Sequence, residues 1–313
     1  MIKLIKLAIV TILMFIFILI GVVIGVNVNK NKEEPVIKLT GQWEKTMEAG
    51  ELSYLVEESY WKFVKASYIT IGTPPDCSFY KIVSEVPRNN YISSNFYIDD
   101  ESDFMFYHDN DGNRTSKIAI DVSAYQNDIN WENVKAAGVD VAMIRVGYRG
   151  YGNGKLVEDE KFRTHVEGAL AAGLQVGVYF FTQALNAAEG AEEADFVINT
   201  ISEYDIAGPV VIDSEKLDVE DARTIDLDNE ARTDAVVAFC DTVKAAGYSA
   251  MIYSNRNWYV QNLDMTRLGG YKLWVAHYTN EPDFPYNYGG WQYTESGTIP
   301  GVEGALDLNV WFE

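Results

Sequence analysis

The chain has 313 residues, 20 of them tyrosine and seven tryptophan, and a net charge of −21. That length holds one large domain and a small one. The charge excludes nucleic acid and any charge-driven grip on an anionic membrane, while neutral sugars are indifferent to it and suit its aromatic side chains. Cys77 and Cys240 are far apart, and His108, His165 and His277 form no cluster. No metal-ligand spacing, no Cys–His or Ser–His nucleophile system and no cofactor is implied.

The first predicted element is an apolar run from Leu7 to Val26, free of charged residues. Twenty such residues span a bilayer core as a helix. Lys3 and Lys6 precede it and favour an inside N-terminus. Its exit, Ile24-Gly25-Val26-Asn27, is a poor cleavage site. Residues 1–29 are therefore expected to be a signal anchor, with the rest outside the cell, on the wall side. If the run is cleaved, the remainder is secreted. Residues 30–35 are a polar linker.

Residues 36–114 carry short aromatic runs between turns, among them Phe79-Tyr80, Phe96-Tyr97-Ile98 and Phe104-Met105-Phe106-Tyr107. Such runs predict strands. We read a small β-rich module that folds separately, as a spacer or as a binder of wall or protein partner. Asp109-Asn110-Asp111-Gly112-Asn113 resembles part of a calcium loop, but the closing glutamate is missing near Ile120, so a turn is expected.

From Lys117 the texture changes. Three helix endings read Lys135-Ala136-Ala137-Gly138, Leu170-Ala171-Ala172-Gly173 and Lys244-Ala245-Ala246-Gly247. Glycine just past a helix is the expected left-handed stop. Strands follow at Val139–Val146, Leu174–Phe181 and Tyr248–Ser254. Others are read at Ile118–Asp121, Val210–Glu215, Tyr271–Tyr278, Tyr288–Tyr293 and Ala305–Val310. Eight strands alternating with helices, which are clear only in the first half, predict an α/β fold with a parallel sheet. With no Gly-rich phosphate loop after the first strand, a closed barrel is favoured over a doubly wound sheet.

The run Val210-Val211-Ile212-Asp213-Ser214-Glu215 is a buried strand ending in two carboxylates. Alternation points Asp213 and Glu215 to the same side, roughly 6–7 Å apart along the backbone. Repulsion between them raises the proton affinity of one, leaving an acid beside a base. A glycosidase needs that pair. The structural alternative makes Asp213 a helix cap and Glu215 a solvated loop residue. In a barrel, chemistry sits where strands end. Those ends also bring Asp121, Arg145, Tyr179, Tyr253, Trp274, Trp291 and Asp307 to one mouth. Each has a plain structural reading: Asp121 capping a turn through Ser123, the aromatics packing the core, Asp307 bridging to Arg145.

These stretches closely resemble glycoside hydrolase family 25, the lysozymes (N-acetylmuramidases) of bacteria and phages. The resemblance runs from Lys117 to the C-terminus. It is carried by Asp121-Val122-Ser123-Ala124-Tyr125-Gln126, Arg145-Val146-Gly147-Tyr148, Val176-Gly177-Val178-Tyr179, Asp213-Ser214-Glu215, Ile252-Tyr253-Ser254-Asn255, Leu273-Trp274-Val275-Ala276, Trp291-Gln292-Tyr293 and Asp307-Leu308-Asn309. It implies an irregular β/α barrel with fewer than eight helices, over residues 117–313. It implies cleavage of the β-1,4 bond between N-acetylmuramic acid and N-acetylglucosamine in peptidoglycan glycan strands. Glu215 is then the general acid and Asp213 its partner, with Asp121 and Asp307 completing an acidic mouth. Many members have histidine after the tyrosine of the third strand, where this chain has Phe180, so its contacts to the sugar are expected to differ.

Three routes satisfy the same residues: attack by Asp213, water activated by a carboxylate, or attack by the substrate's own 2-acetamido group. The D-x-E spacing resembles families that use the acetamido route. Two other functions fit the sequence, a catalytically weak wall-binding protein and a hydrolase of another amino-sugar polymer such as chitin.

Overall fold

The computed structural model describes residues 62–73, 76–100 and 102–313, with the backbone of 37–38 and 46–47. Contacts divide the chain into two compact units, Met1–Gly72 and Thr73–Glu313. In the first, Ile37–Lys38 pairs antiparallel with Thr46–Met47. The apolar run expected to span a membrane, Leu7–Val26, lies outside the described residues. Among the described residues no helix is long and apolar enough to cross a membrane.

The second unit is a barrel of eight strands: β1 (Lys117–Val122), β2 (Val141–Arg149), β3 (Gln175–Phe181), β4 (Val210–Asp213), β5 (Ala250–Asn255), β6 (Lys272–Ala276), β7 (Gly290–Gly297) and β8 (Leu306–Trp311). Each strand pairs with the next, and β8 pairs with β1 to close the ring. All eight were read from sequence. The sheet is not wholly parallel, however, because β8 runs antiparallel to both β7 and β1. The link from β7 to β8 is too short for a parallel crossover, which needs about a dozen residues. A further strand, Leu156–Glu158, pairs antiparallel with β2.

Five helices connect the first six strands: α1 (Trp131–Ala136), α2 (Phe162–Ala171), α3 (Ala187–Ile201), α4 (Asn229–Ala245) and α5 (Arg256–Asn262). Four open on an amide or carboxylate cap, from Asn130, Asn186, Asp228 and Asn255. Each accepts a backbone N–H that the first turn leaves unpaired. The predicted stops Gly138, Gly173 and Gly247 all have positive φ, at 98°, 74° and 91°.

An eight-stranded barrel leaves an interior just wide enough for side chains. Here Ala119, Val141, Met143, Val211, Met251, Trp274 and Trp311 fill it. Two indoles at this level need small neighbours. A Cβ on Gly290 would lie 2.4 Å from the Trp311 ring and 2.9 Å from Trp274. This apolar floor lifts the polar inward residues to the C-terminal rim.

Residues 82–116 pack against the barrel, so the contacts divide the chain at Gly72 and not at residue 114. The hairpin Phe96–Ile98 with Met105–Tyr107 lies outside the β7–β8 edge. Tyr91 stacks on Phe312 at 4.4 Å and donates its hydroxyl to the Tyr288 carbonyl at 2.9 Å. Phe96 meets Trp291 edge-on at 4.9 Å, and the Met105 amide donates to the Tyr293 hydroxyl. The predicted strands were real, but their apolar faces complete the barrel's outer layer. Asp109–Asn113 is a turn: the Gly112 amide donates to the Asp109 carbonyl, and the Asp109 carboxylate accepts the amides of Asp111 and Asn113.

Candidate active site

The C-terminal ends of the parallel strands and the N-terminal end of β8 open into a cleft of about 850 Å³. Asp213 is the last residue of β4 and Glu215 lies two beyond it. The backbone between them is fixed. The Thr182 amide donates to the Asp213 carbonyl at 2.9 Å, the Ser214 amide to the Tyr253 carbonyl at 3.0 Å, and the Ser254 hydroxyl to the Ser214 carbonyl at 2.6 Å. Both carboxyls therefore face the cleft.

Their environments differ. Asp213 is buried, and its Oδ1 has no hydrogen-bond partner among the described residues. Burial, then the charges of Glu215 and Asp121, push its carboxyl well above the usual range. Glu215 is half-buried, and burial, with repulsion from Asp121 and Glu295, pushes it up to about 7. The protons are shared within a coupled group, and each added negative charge holds the others' protons more tightly.

Asp121 on β1 faces Asp307 on β8 in register. Burial raises Asp121, but it accepts hydrogen bonds from Asn309 Nδ2 at 2.8 Å, Gln292 Nε2 at 3.0 Å and the Asp307 carboxyl. Asp307 faces it with its carboxyl pushed up to about 9, by burial first and then by Asp121. The two amides are themselves oriented. Gln292 Oε1 accepts from the hydroxyls of Tyr253 and Tyr278, at 2.8 and 2.9 Å. Asn309 Oδ1 accepts from Trp274 Nε1 at 2.8 Å. Neither Gln292 nor Asn309 was singled out from sequence. The signal was there, an amide beside an aromatic residue in β7 and two residues after Asp307 in β8, on the same face as that acid.

Of the residues read as site candidates, Asp121, Arg145, Tyr179, Asp213, Glu215, Tyr253, Trp274 and Asp307 all line the cleft. Trp291 does not. Gln292 points inward, so its neighbour points outward by strand alternation. The Trp291 indole donates to the His277 carbonyl and packs on Phe96. Asp307 does not bridge to Arg145, whose Nε pairs with Asp159 at 2.7 Å. Asp121 is not a cap, because Ser123 accepts the Tyr125 amide itself. Phe180 packs on Phe196 of α3 and does not line the cleft, while Phe181 does.

Glu295, Tyr125, Tyr148 and Arg149 also line the cleft and were missed. Arg149 is a buried strut. It binds Glu193 at 2.8 Å through Nε, the Gly154 carbonyl through Nη1, and the Glu189 carbonyl and Glu192 through Nη2. Glu193, pushed up to about 7 by burial, also accepts from Thr182 Oγ1 at 2.6 Å. Cys77 and Cys240 are free thiols, and Cys240 is buried in α4.

The arrangement places one proton-bearing carboxyl at an open cleft, beside a buried carboxyl with an unused acceptor and a hydrogen-bonded carboxyl across the mouth. It can protonate a leaving oxygen and stabilise positive charge next to it.

The model of the glycosyl hydrolases family 25 matches residues 120–302. The chain is 29% identical over 195 residues to an autolytic lysozyme of Clostridium acetobutylicum, covering 62% of this chain and 55% of that protein. It is 28% identical over 205 residues to lysozyme M1 of Streptomyces globisporus, covering 61% of this chain and 66% of that one. The modular autolysin LytC from Streptococcus pneumoniae, solved in complex with a synthetic peptidoglycan ligand, matches with a TM-score of 0.57 at 27% identity. That match covers 69% of this chain and 52% of LytC. The chain therefore spans between half and two thirds of the length of each of these relatives.

Proposed function

The chain belongs to glycosyl hydrolase family 25, and from that premise we propose that it cleaves the β-1,4 bond between N-acetylmuramic acid and N-acetylglucosamine in peptidoglycan. The observation that carries this reading is the pairing of Glu215, proton-bearing near neutrality and facing the cleft, with buried Asp213 and its unused Oδ1.

Glu215 gives its proton to the glycosidic oxygen as the bond from that oxygen to C1 breaks. The carbonyl oxygen of the muramyl 2-acetamido group closes on C1, and Asp213, ionised for this step, accepts the amide N–H through Oδ1. Positive charge spread over the ring and the acetamido group faces Asp121, whose carboxyl Asn309 and Gln292 hold in place by hydrogen bonds. Water then adds to C1 and gives a proton to Glu215 as the bond from C1 to the acetamido oxygen breaks, restoring the 2-acetamido group and releasing the reducing muramyl end with retained configuration. Direct attack by activated water uses the same two acids and gives inversion instead.

Incubating the full chain with purified peptidoglycan and with chitin tests the reading. New reducing ends at muramic acid, with the retained anomer formed first, are expected. Cleavage of chitin alone assigns another amino-sugar polymer, and binding without cleavage assigns a wall-binding protein. We place the barrel outside the cell, held to the membrane by Leu7–Val26, with the residues before Thr73 as spacer. The apolar run carries that placement. Protease added to wall-free cells should release a fragment containing the barrel, and protection would reverse the orientation.

A further inference from the structure

We propose that Arg145 is the carboxylate anchor of the cleft and docks the acid that the muramyl residue carries. This deepens the muramidase reading and rests on it. Muramic acid differs from N-acetylglucosamine by a lactyl ether, which ends in a carboxylate or in a peptide that bears carboxylates. An acidic cleft opposes such a substrate unless one wall supplies a matching cation.

Two arginines line the cleft. All three nitrogens of Arg149 are already bonded within the protein. Arg145 is built differently. Its Nε is bound to Asp159 Oδ2, and Asp159 is fixed in turn by the amides of Ala124 and Lys161. No hydrogen bond or ion pair among the described residues takes its two Nη groups. The guanidinium lies 5.2 Å from the Tyr125 ring centre and 5.7 Å from that of Tyr148. Its side chain is 16% exposed, so water competes weakly for it. An oriented guanidinium with a free pair of donors matches a carboxylate fork to fork.

The position fits as well. Asp121, Asp213, Glu215, Glu295 and Asp307 come from β1, β4 and the turn after it, β7 and β8, while Glu158, Asp159 and Glu160 line the cleft after β2, with Asp159 held by Arg145 Nε. Arg145 stands on β2, in register with Tyr179 of β3. A glycan lying between the two walls therefore meets acids at the scissile bond and a cation to one side. Loop residue Tyr125, 82% exposed, adds a face for the sugar at the same wall.

The test uses the full chain and three substrates: intact peptidoglycan, glycan stripped of peptide to free the lactyl carboxylate, and stripped glycan whose carboxylates are coupled to methylamine. Affinity is measured on the E215Q background, so the anchor is read independently of turnover. The chain carrying Arg145 should bind stripped glycan at least tenfold tighter than its neutralised form. R145Q should collapse that ratio toward one, and R145K, a cation without the fork, should fall between. A loss confined to stripped glycan identifies the lactyl carboxylate, and one extending to intact peptidoglycan identifies a peptide carboxylate. Equal affinity for charged and neutral glycan while Arg145 is present overturns the proposal whether or not R145Q folds. So does a loss in R145Q that is equal on both. Failure of the native chain to release muramyl ends sinks the muramidase reading, while the binding ratio still decides Arg145.

Discussion

Glu215 carries the clearest consequences at the scale of single residues. Its carboxyl, pushed up to about 7, must be protonated to act, so kcat/KM should fall as pH rises through that value. A pH–rate profile checks this, and a limb that stays flat to pH 9 would assign the acid elsewhere. E215Q removes the proton without removing bulk and should lower turnover by at least ~10²-fold. D213N leaves an amide where the proposed step needs a carboxylate, and it should be severely impaired as well. The double variant should be little worse than either alone, since the two act as a unit. Additive losses in kcat would separate their roles.

At the scale of elements, β7 and β8 form the hinge between floor and mouth. Gly290 lies where the Trp274 and Trp311 rings leave no room for a Cβ. Gly290→Ala should cost about 1–3 kcal/mol by overpacking, read as a lower urea midpoint at unchanged slope. One residue on, Trp291 faces the outer layer, so Trp291→Phe should lower the melting temperature and leave KM alone. A raised KM would return Trp291 to the site. The outer layer also decides where the chain tolerates truncation. Removing residues 1–72 spares every contact of Tyr91 and Phe96 described above. Removing 1–114 uncovers Trp291, Tyr288 and Phe312. The shorter deletion should stay soluble and cleave isolated peptidoglycan, whereas the longer should aggregate or melt earlier. Equal melting of the two would make the hairpin an ornament.

At the scale of the whole molecule, the titrations lean one way. Glu215 and Glu193 are pushed up to about 7 and Asp307 to about 9. Raised carboxyls bind protons more tightly folded than unfolded. Their stabilisation is complete below the unfolded values near 4.5 and is lost as pH rises through the folded ones. The net charge of −21 adds self-repulsion in the same direction. The protein should therefore melt higher at pH 5 than at pH 9. The reverse order, measured by calorimetry at constant ionic strength, would show that these acids are ionised in the fold.

Much of this molecule was legible as a string of residues. Periodicity, β-branched runs and glycine stops gave eight strands in order, because strands buried on both faces must be apolar and helices must end. The D-x-E at the end of β4 stood out as a candidate site, because two carboxylates on an apolar strand are costly without a use. Other features rest on contacts far apart in the chain. The direction of β8, the outward face of Trp291, the facing of Asp121 and Asp307, and the clasp of Gln292 and Asn309 depend on which strands become neighbours. What the aromatic runs within 82–116 pack against was hidden for the same reason. Aromatic runs declare that an apolar face exists, but only the folded barrel decides what covers it. Arg145 shows the division within one side chain: the sequence placed it at a strand end, and only the tertiary contacts of Asp159 and Arg149 left its outer nitrogens unspent.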